Sequence, residues 1–370
     1  MYNKNINMKR GQDMKKETKR KMNIAISIIL AIIVPVAALL VAWVVPVRGK
    51  VSAEKWKSSD EFTNDYCVTM EKDPDKDFEI LTFSDTQFND AIDYLGIAGT
   101  AYDEMRTLVD RKKPDLIIIM GDATWAAMTK VSVKQFVHFM DKFEIPWAAI
   151  MGNHEDENTQ GYFGNVDCNW VCDQFMKSEY CIMKKGPNNI GGVGNYIINV
   201  EENGKVVESL ILMDSHSKRY YEKTGTYEYD HIYPEQMEWY KWALEGLKQE
   251  NGHNKNMLFI HIPLNEYKDA YEYWEKSGFD KNIGFGEKHE DVYSGYENSG
   301  MFDVIKDMGA TTHVFAAHDH LNNYGVLYEG VNLIYTMKTG DRCSYWKGNT
   351  GGTRINIGDK ISVEHDYVGL

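Results

Sequence analysis

The sequence predicts an α/β domain carried behind a single apolar helix. Three observations point there. Residues Ile24 to Val47 contain no ionisable side chain. Six short runs rich in Ile, Leu, Val and Phe alternate with stretches of helical period. Five of those runs are followed at once by side chains of metal-ligand type.

The apolar stretch comes first. Its 24 residues, at 1.5 Å each, cross a hydrocarbon core of roughly 30 Å. Eight basic side chains against two acidic ones precede it within the first 23 residues. That flank is expected to stay in the cytoplasm and to send everything from about Arg48 outward. The expected organisation is a basic tail over 1–23, a transmembrane signal-anchor over 24–47, a linker over 48–77 and one domain over 78–370. Val51-Ser52-Ala53 also suits a cleavage site, so a removed signal peptide is the rival reading; either exports the rest.

Charge narrows the partners. Subtracting the +6 of the tail from the −14 of the whole chain leaves −20, a balance that repels phosphate backbones and argues against general nucleic-acid binding. A local metal cluster can still capture one small phosphorylated molecule. The five cysteines are an odd number, and the near neighbours Cys168, Cys172 and Cys181, whose single C-x3-C spacing has no second pair, suit a local disulfide in an exported protein better than a zinc site; no chemistry is assigned to them.

The expected strands are Ile80 to Phe83, Leu116 to Met120, Trp147 to Met151, Leu210 to Met213, Met257 to Ile260 and Val314 to Ala317. Helices are expected at about 101–112, 131–143, 234–249 and 299–308, the third carrying the stripe Met237, Tyr240, Leu244 and Leu247. The glycine-dense stretch 186–194 runs into strand-like Tyr196-Ile197-Ile198, so it reads as a turn and not as a phosphate cradle. Tyr267 to Phe285 is rich in aromatics and fits either a helix packed on the domain or a loop lining a pocket.

The polar residues after the strands are Asp85-Thr86-Gln87, Gly121-Asp122, Gly152-Asn153-His154-Glu155, His261 and His318-Asp319-His320. Any one of them has a plain structural explanation as a turn, a cap or a core histidine. Together, at the carboxyl ends of strands in an α/β sheet, they converge on one crevice. Two metals close together need a bridging carboxylate, and Asp122 is the natural one. Asp85 and His320 would complete the first site, and Asn153, His261 and His318 the second; imidazole and amide oxygen suit zinc, iron or manganese.

In this pattern the sequence resembles the calcineurin-like metallophosphoesterases, over about residues 78–340, and within them the proteins related to purple acid phosphatases. Leu212-Met213-Asp214-Ser215, Tyr233 to Tyr240 and His261-Ile262-Pro263-Leu264 are similar to that branch. The resemblance implies a four-layer α/β/β/α sandwich, two divalent ions (Mn, Zn, Fe or Mg) and hydrolysis of phosphate mono- or diesters by metal-activated hydroxide, with His154 as the catalytic group beside the ligands. The alternative is a weakened metal- or substrate-binding module that keeps the fold.

Three residues depart from the family pattern. Gln87 stands where histidine is usual, either lending its carbonyl oxygen to a metal or hydrogen-bonding a bound water. Trp125 stands where purple acid phosphatases place the tyrosine that colours their iron, and indole cannot take that role. Ala317 stands where glycine precedes the final histidine pair.

Overall fold

The computed structural model describes residues 2–89, 99–126, 128–157 and 166–368. They fall into two compact units, Met1–Pro46 and Val47–Leu370.

The first unit is helix α1 (Tyr2–Val44), which takes in the basic tail as well as the apolar stretch. Pro46 explains its end, because the residue before a proline is pushed out of helical conformation. Within α1, Met14–Ala38 is long and apolar enough to cross a membrane, by length and composition.

In the second unit the strands are, in chain order, β1 (Val68–Glu71), β2 (Phe78–Phe83), β3 (Leu116–Ile119), β4 (Trp147–Ala149), β5 (Tyr196–Glu202), β6 (Lys205–Leu212), β7 (Lys218–Tyr221), β8 (Thr226–Tyr229), β9 (Asn256–Phe259), β10 (Gly284–Phe285), β11 (Thr311–Ala316), β12 (Gly325–Tyr328), β13 (Val331–Tyr335), β14 (Gly351–Ile357) and β15 (Ile361–Tyr367). The helices are α2 (Ala101–Arg111), α3 (Thr129–Met140), the single turn α4 (His154–Glu157), α5 (Cys168–Phe175), α6 (Pro234–Asn251), α7 (Glu266–Lys276) and α8 (Met301–Met308).

Eight strands form one sheet in the order β1-β5-β6-β9-β11-β13-β12-β10, five form a second in the order β15-β14-β2-β3-β4, and β7 and β8 form a hairpin. Side-chain alternation along the central strands builds the layers. Leu210, Leu212, Met257, Phe259 and Phe315 point into the core shared with the five-stranded sheet, α2 and α3. Their neighbours Ile211, Leu258, Val314 and Ala316 point the other way, into a core with α6, α7 and α8. Strands buried on both faces read as unbroken apolar runs, which is why these were legible without alternation. The result is the expected α/β/β/α stack.

Helix α6 starts where its sequence says it should. Pro234 occupies the first turn, where its missing N–H costs nothing, and the Gln236 side chain accepts from the Tyr233 N–H at 2.8 Å. Gly252 closes it in a left-handed conformation.

Two expectations change. Residues 48–77, expected as a linker, pack onto the domain: β1 pairs in parallel with β5, and Phe62 and Cys67 are buried. The cysteines are all free thiols. Cys172 lies 3.6 and 3.7 Å from the sulfurs of Met176 and Met183, so it serves as a small core hydrophobe rather than a bridge. The aromatic segment resolves into α7, with Tyr267 and Trp274 buried, and a surface groove of about 660 Å³ beside it that none of the expected metal ligands lines.

Strand β15 is tied to the larger sheet through His365. Its Nε2 donates to the Asn323 carbonyl at 2.7 Å, which in the neutral ring leaves Nδ1 to accept from the Thr353 hydroxyl at 3.0 Å. Both nitrogens are committed to the neutral ring, and burial pushes the pKa down to about 4. An unfolded histidine titrates near 6.5, so as pH falls from there toward 4 the unfolded chain takes up the proton first and stability is lost. The melting temperature should therefore fall between pH 7 and pH 5, and less steeply in His365→Gln; equal slopes by calorimetry would remove His365 from the acid sensitivity.

Candidate dinuclear metal site

The five expected motifs sit at the carboxyl ends of five parallel strands drawn from both sheets. Asp85, Asp122 and Asn153 follow the adjacent strands β2, β3 and β4; His261 and His318 follow β9 and β11, which are also neighbours. The two sheets thus feed one crevice.

Backbone contacts bring the loops to contact distance. The N–H groups of Asp85 and Gln87 donate to the carbonyls of Gly121 and Asp122 at 3.3 and 3.0 Å. Asp85, Gln87, Asp122 and His318 all have positive φ, between 47° and 73°. Side chains other than glycine seldom adopt that region, and such residues gather where function demands a particular geometry. Gly121 and Gly152 allow the closest approach: a Cβ on Gly121 would sit 2.5 Å from His261 Nδ1, and one on Gly152 would sit 2.3 Å from Asp122 Oδ1.

Hydrogen bonds outside the crevice then fix which atoms face inward. His261 Nδ1 lies 2.8 Å from the Met120 carbonyl, which can only accept, so Nδ1 carries a proton and Nε2 is turned inward, where its electron pair can take a cation or a second proton. Asn153 Nδ2 donates to Glu157 at 3.0 Å, turning Oδ1 inward to within 3.1 Å of His261 Nε2. Asp122 Oδ2 lies 3.4 Å from the same nitrogen. Three electron-pair donors therefore face one another in a buried space.

The other half repeats the pattern. His320 Nδ1 donates to the Cys343 carbonyl, leaving Nε2 3.4 Å from Asp85 Oδ1. Asp85 Oδ1, Gln87 Oε1 and His318 Nδ1 are buried without a hydrogen-bond partner, each an expense unless a cation or proton is supplied. Asp122, His261 and His318 offer ligand atoms all within 4.8 Å of one another. Such a set, hard oxygens with imidazole nitrogens, fits two divalent ions.

The field of the carboxylates can be answered by a proton on these rings as well as by a cation. Burial disfavours a charged His261, yet Asp122, Asp85 and the Met120 carbonyl together outweigh it and the pKa rises to about 10. His318 goes the other way, to about 3, through burial and the neighbouring His261. His154 is likewise opposed by burial but held up by Asp122 and Glu157, to about 9.

Each expected residue is at the crevice. Gln87 reaches it too, with its Nε2 3.3 Å from His320 Nε2 and its Oε1 unpartnered. Ala317 is accommodated: its N–H donates to the His261 carbonyl at 3.0 Å. His216, in the loop after β6, is bound to Gln236 at 2.8 Å and stacked on Tyr233.

Four supporting residues were not singled out from sequence. Glu157 takes His154 Nδ1 at 2.6 Å and Lys218 at 3.1 Å. Its position three residues after His154, on the same helical turn, was the available signal. The buried Lys338 ammonium donates to the Asp85 carbonyl at 2.6 Å, and the Tyr229 ring meets His318 edge-on, with centroids 4.5 Å apart. Nothing local in the sequence marks Lys338, Lys218 or Tyr229. Glu155, quoted only as part of its motif, is a clamp: its carboxylate accepts from the N–H groups of Asp122, Ala123 and Gly152 at 2.8–2.9 Å.

The calcineurin-like phosphoesterase profile matches residues 78–322, and the chain belongs to that family. Among curated relatives, it is 27% identical over 259 residues to "Probable inactive purple acid phosphatase 14" of Arabidopsis thaliana, covering 64% of this chain and 61% of that protein. It is 28% identical over 277 residues to "Phosphatase DCR2" of Saccharomyces cerevisiae, covering 68% of this chain and 44% of that one. The chain therefore spans under two thirds of these relatives. Among solved structures, a dimetal phosphatase from Danio rerio shares the fold, with a TM-score of 0.50 at 10% identity over 78% of this chain and 96% of that one.

Glu155→Gln would leave one acceptor oxygen and turn an amide NH2 toward at least one of the three backbone donors. Metal affinity, measured by calorimetry with manganese, should fall by about 10–100-fold, the range for residues that orient ligands. Unchanged affinity would mean that the Asp122 and Gly152 loops are held without it.

Proposed function

We propose that the chain is a membrane-anchored phosphohydrolase that cleaves phosphate mono- or diesters with two divalent ions, outside the cytoplasm. The observation that carries this reading is the inward convergence of Asp122 Oδ2, His261 Nε2 and Asn153 Oδ1 next to a protonatable His154. Asp85, Gln87, Asp122 and His320 would hold one ion, and Asp122, Asn153, His261 and His318 the other. Mn, Zn, Fe and Mg all remain within the donor set's range. Divalent ions there supply Lewis-acid charge to phosphoryl oxygens and lower the pKa of water toward neutrality.

The chain's own contribution centres on His154. Glu157 fixes Nδ1 from behind, and Nε2 faces the centre, 3.6 Å from Asp122 Oδ2. A ring held protonated by those two carboxylates donates from Nε2 to the leaving-group oxygen as charge develops there. Lys218, on β7, neutralises the far side of Glu157 and keeps that carboxylate an acceptor.

Anchoring is supported by the apolar length of Met14–Ala38 and by the basic residues before it. The second reading, a binding module with weakened catalysis, has Gln87 in its favour.

Detergent-solubilised protein assayed with 4-nitrophenyl phosphate and its bis ester across manganese, zinc, iron and magnesium distinguishes the two. Turnover is expected with at least one metal, and His154→Ala should lower kcat by about 10²–10⁴-fold while metal content is unchanged. Metal binding with no turnover of either ester would leave the binding module standing; absence of both would defeat each reading.

A further inference from the structure

Trp125 lies three residues after Asp122 and is 44% exposed, although indole is among the side chains that gain most from burial. Its position is not loose. The backbone N–H of Trp125 donates to the Phe88 carbonyl at 3.2 Å, and the preceding residue, Thr124, forms a β-bridge with Phe88. The indole stacks on the His154 imidazole, with centroids 5.2 Å apart and planes 23° from parallel.

A rigidly mounted, half-exposed indole thus runs alongside the group that faces the leaving oxygen. Among the described residues, His154 is the only ring stacked on it, so it retains exposed aromatic surface at the mouth of the crevice. Tyr229, the aromatic beside His318, differs: the Lys218 ammonium lies over its face at 4.8 Å.

We propose that Trp125 is a specificity-determining platform on which a planar leaving group, an aryl or nucleobase-bearing portion of the phosphate ester, stacks as the phosphoryl group enters the metal centre. This deepens the phosphohydrolase reading and rests on it. Stacking of a flat ring on an aromatic side chain selects by shape and π-surface and needs no hydrogen bond, so the preference covers a class of leaving groups and not one molecule.

Equilibrium binding tests it without requiring turnover. The probes are phenylphosphonate and methylphosphonate, titrated into the manganese-loaded full chain in detergent. The phenyl compound is expected to bind about tenfold more tightly, within the range for one stacked ring. Trp125→Leu, which keeps apolar bulk but no flat ring, should reduce that preference to about twofold or less; Trp125→Phe should keep most of it. Equal affinities in the wild type, a preference that survives Trp125→Leu, or no binding of either phosphonate would each overturn the platform. Turnover of 4-nitrophenyl phosphate, measured on the same preparations, reports separately on hydrolysis: a Trp125-dependent preference without turnover would leave the platform and remove the hydrolase.

Discussion

The structure of this domain turns on one contact that is favourable only with a positive charge in its midst. Asp122 Oδ2, His261 Nε2 and Asn153 Oδ1 are held within 3.1–3.4 Å steps of one another, each with its lone pairs inward. Buried acceptors facing acceptors repel, and water cannot screen them where Asp122 and His261 are almost wholly covered. Only a cation or a proton makes the arrangement favourable. What surrounds it is a set of constraints that stop the side chains from turning away: the Met120 carbonyl behind His261, Glu157 behind Asn153, and the His154 N–H on Asp122 Oδ1 at 2.8 Å.

Those constraints reach into the backbone. Left-handed Asp85, Gln87, Asp122 and His318 would relax if their loops were free. Glu155 binds two of the loops by their N–H groups, and Lys338 holds a third by a carbonyl. Behind them stand β2, β3 and β4 in register, fully buried, and β9 beside β11 in the other sheet. The sandwich is the frame that brings two independent strand sets to one crevice at fixed spacing.

How much of this could be read from the chain follows from how local each signal is. The strands Leu116–Ile119 and Asn256–Phe259 were legible because burial on both faces leaves an apolar run, and the ligands because each follows such a run directly. His261 could be placed at the site, but its protonated nitrogen could not: that depends on the carbonyl of Met120, 141 positions away. Lys338 is of the same kind, meeting Asp85 across 253 positions. The strand at Val68–Glu71 was missed because, as a four-residue half-exposed edge, it has no continuous apolar run, and its pairing with β5 is set by tertiary contact. The cysteine expectation failed for a related reason. Proximity in sequence puts thiols near each other, but α5 turns Cys172 into the core.

Gln87 is the residue on which the balance of the two halves depends. A histidine that ligates a metal does so as a neutral ring, so replacing it by glutamine leaves the formal charge of the site unchanged: Asp85 and Asp122 still face whatever positive charge is bound. On the proposed assignment of Gln87 as a ligand, what would change is the donor, a harder and weaker amide oxygen in place of an imidazole nitrogen. That shift bears on the half holding Asp85 and His320 and leaves the half built on Asn153, His261 and His318 as it was. The electrostatic demand for cations is therefore intact on both sides while the affinity for softer metals is lowered on one. On the proposed ligand assignment, that single substitution would make the centre asymmetric, with one ion held more firmly than the other.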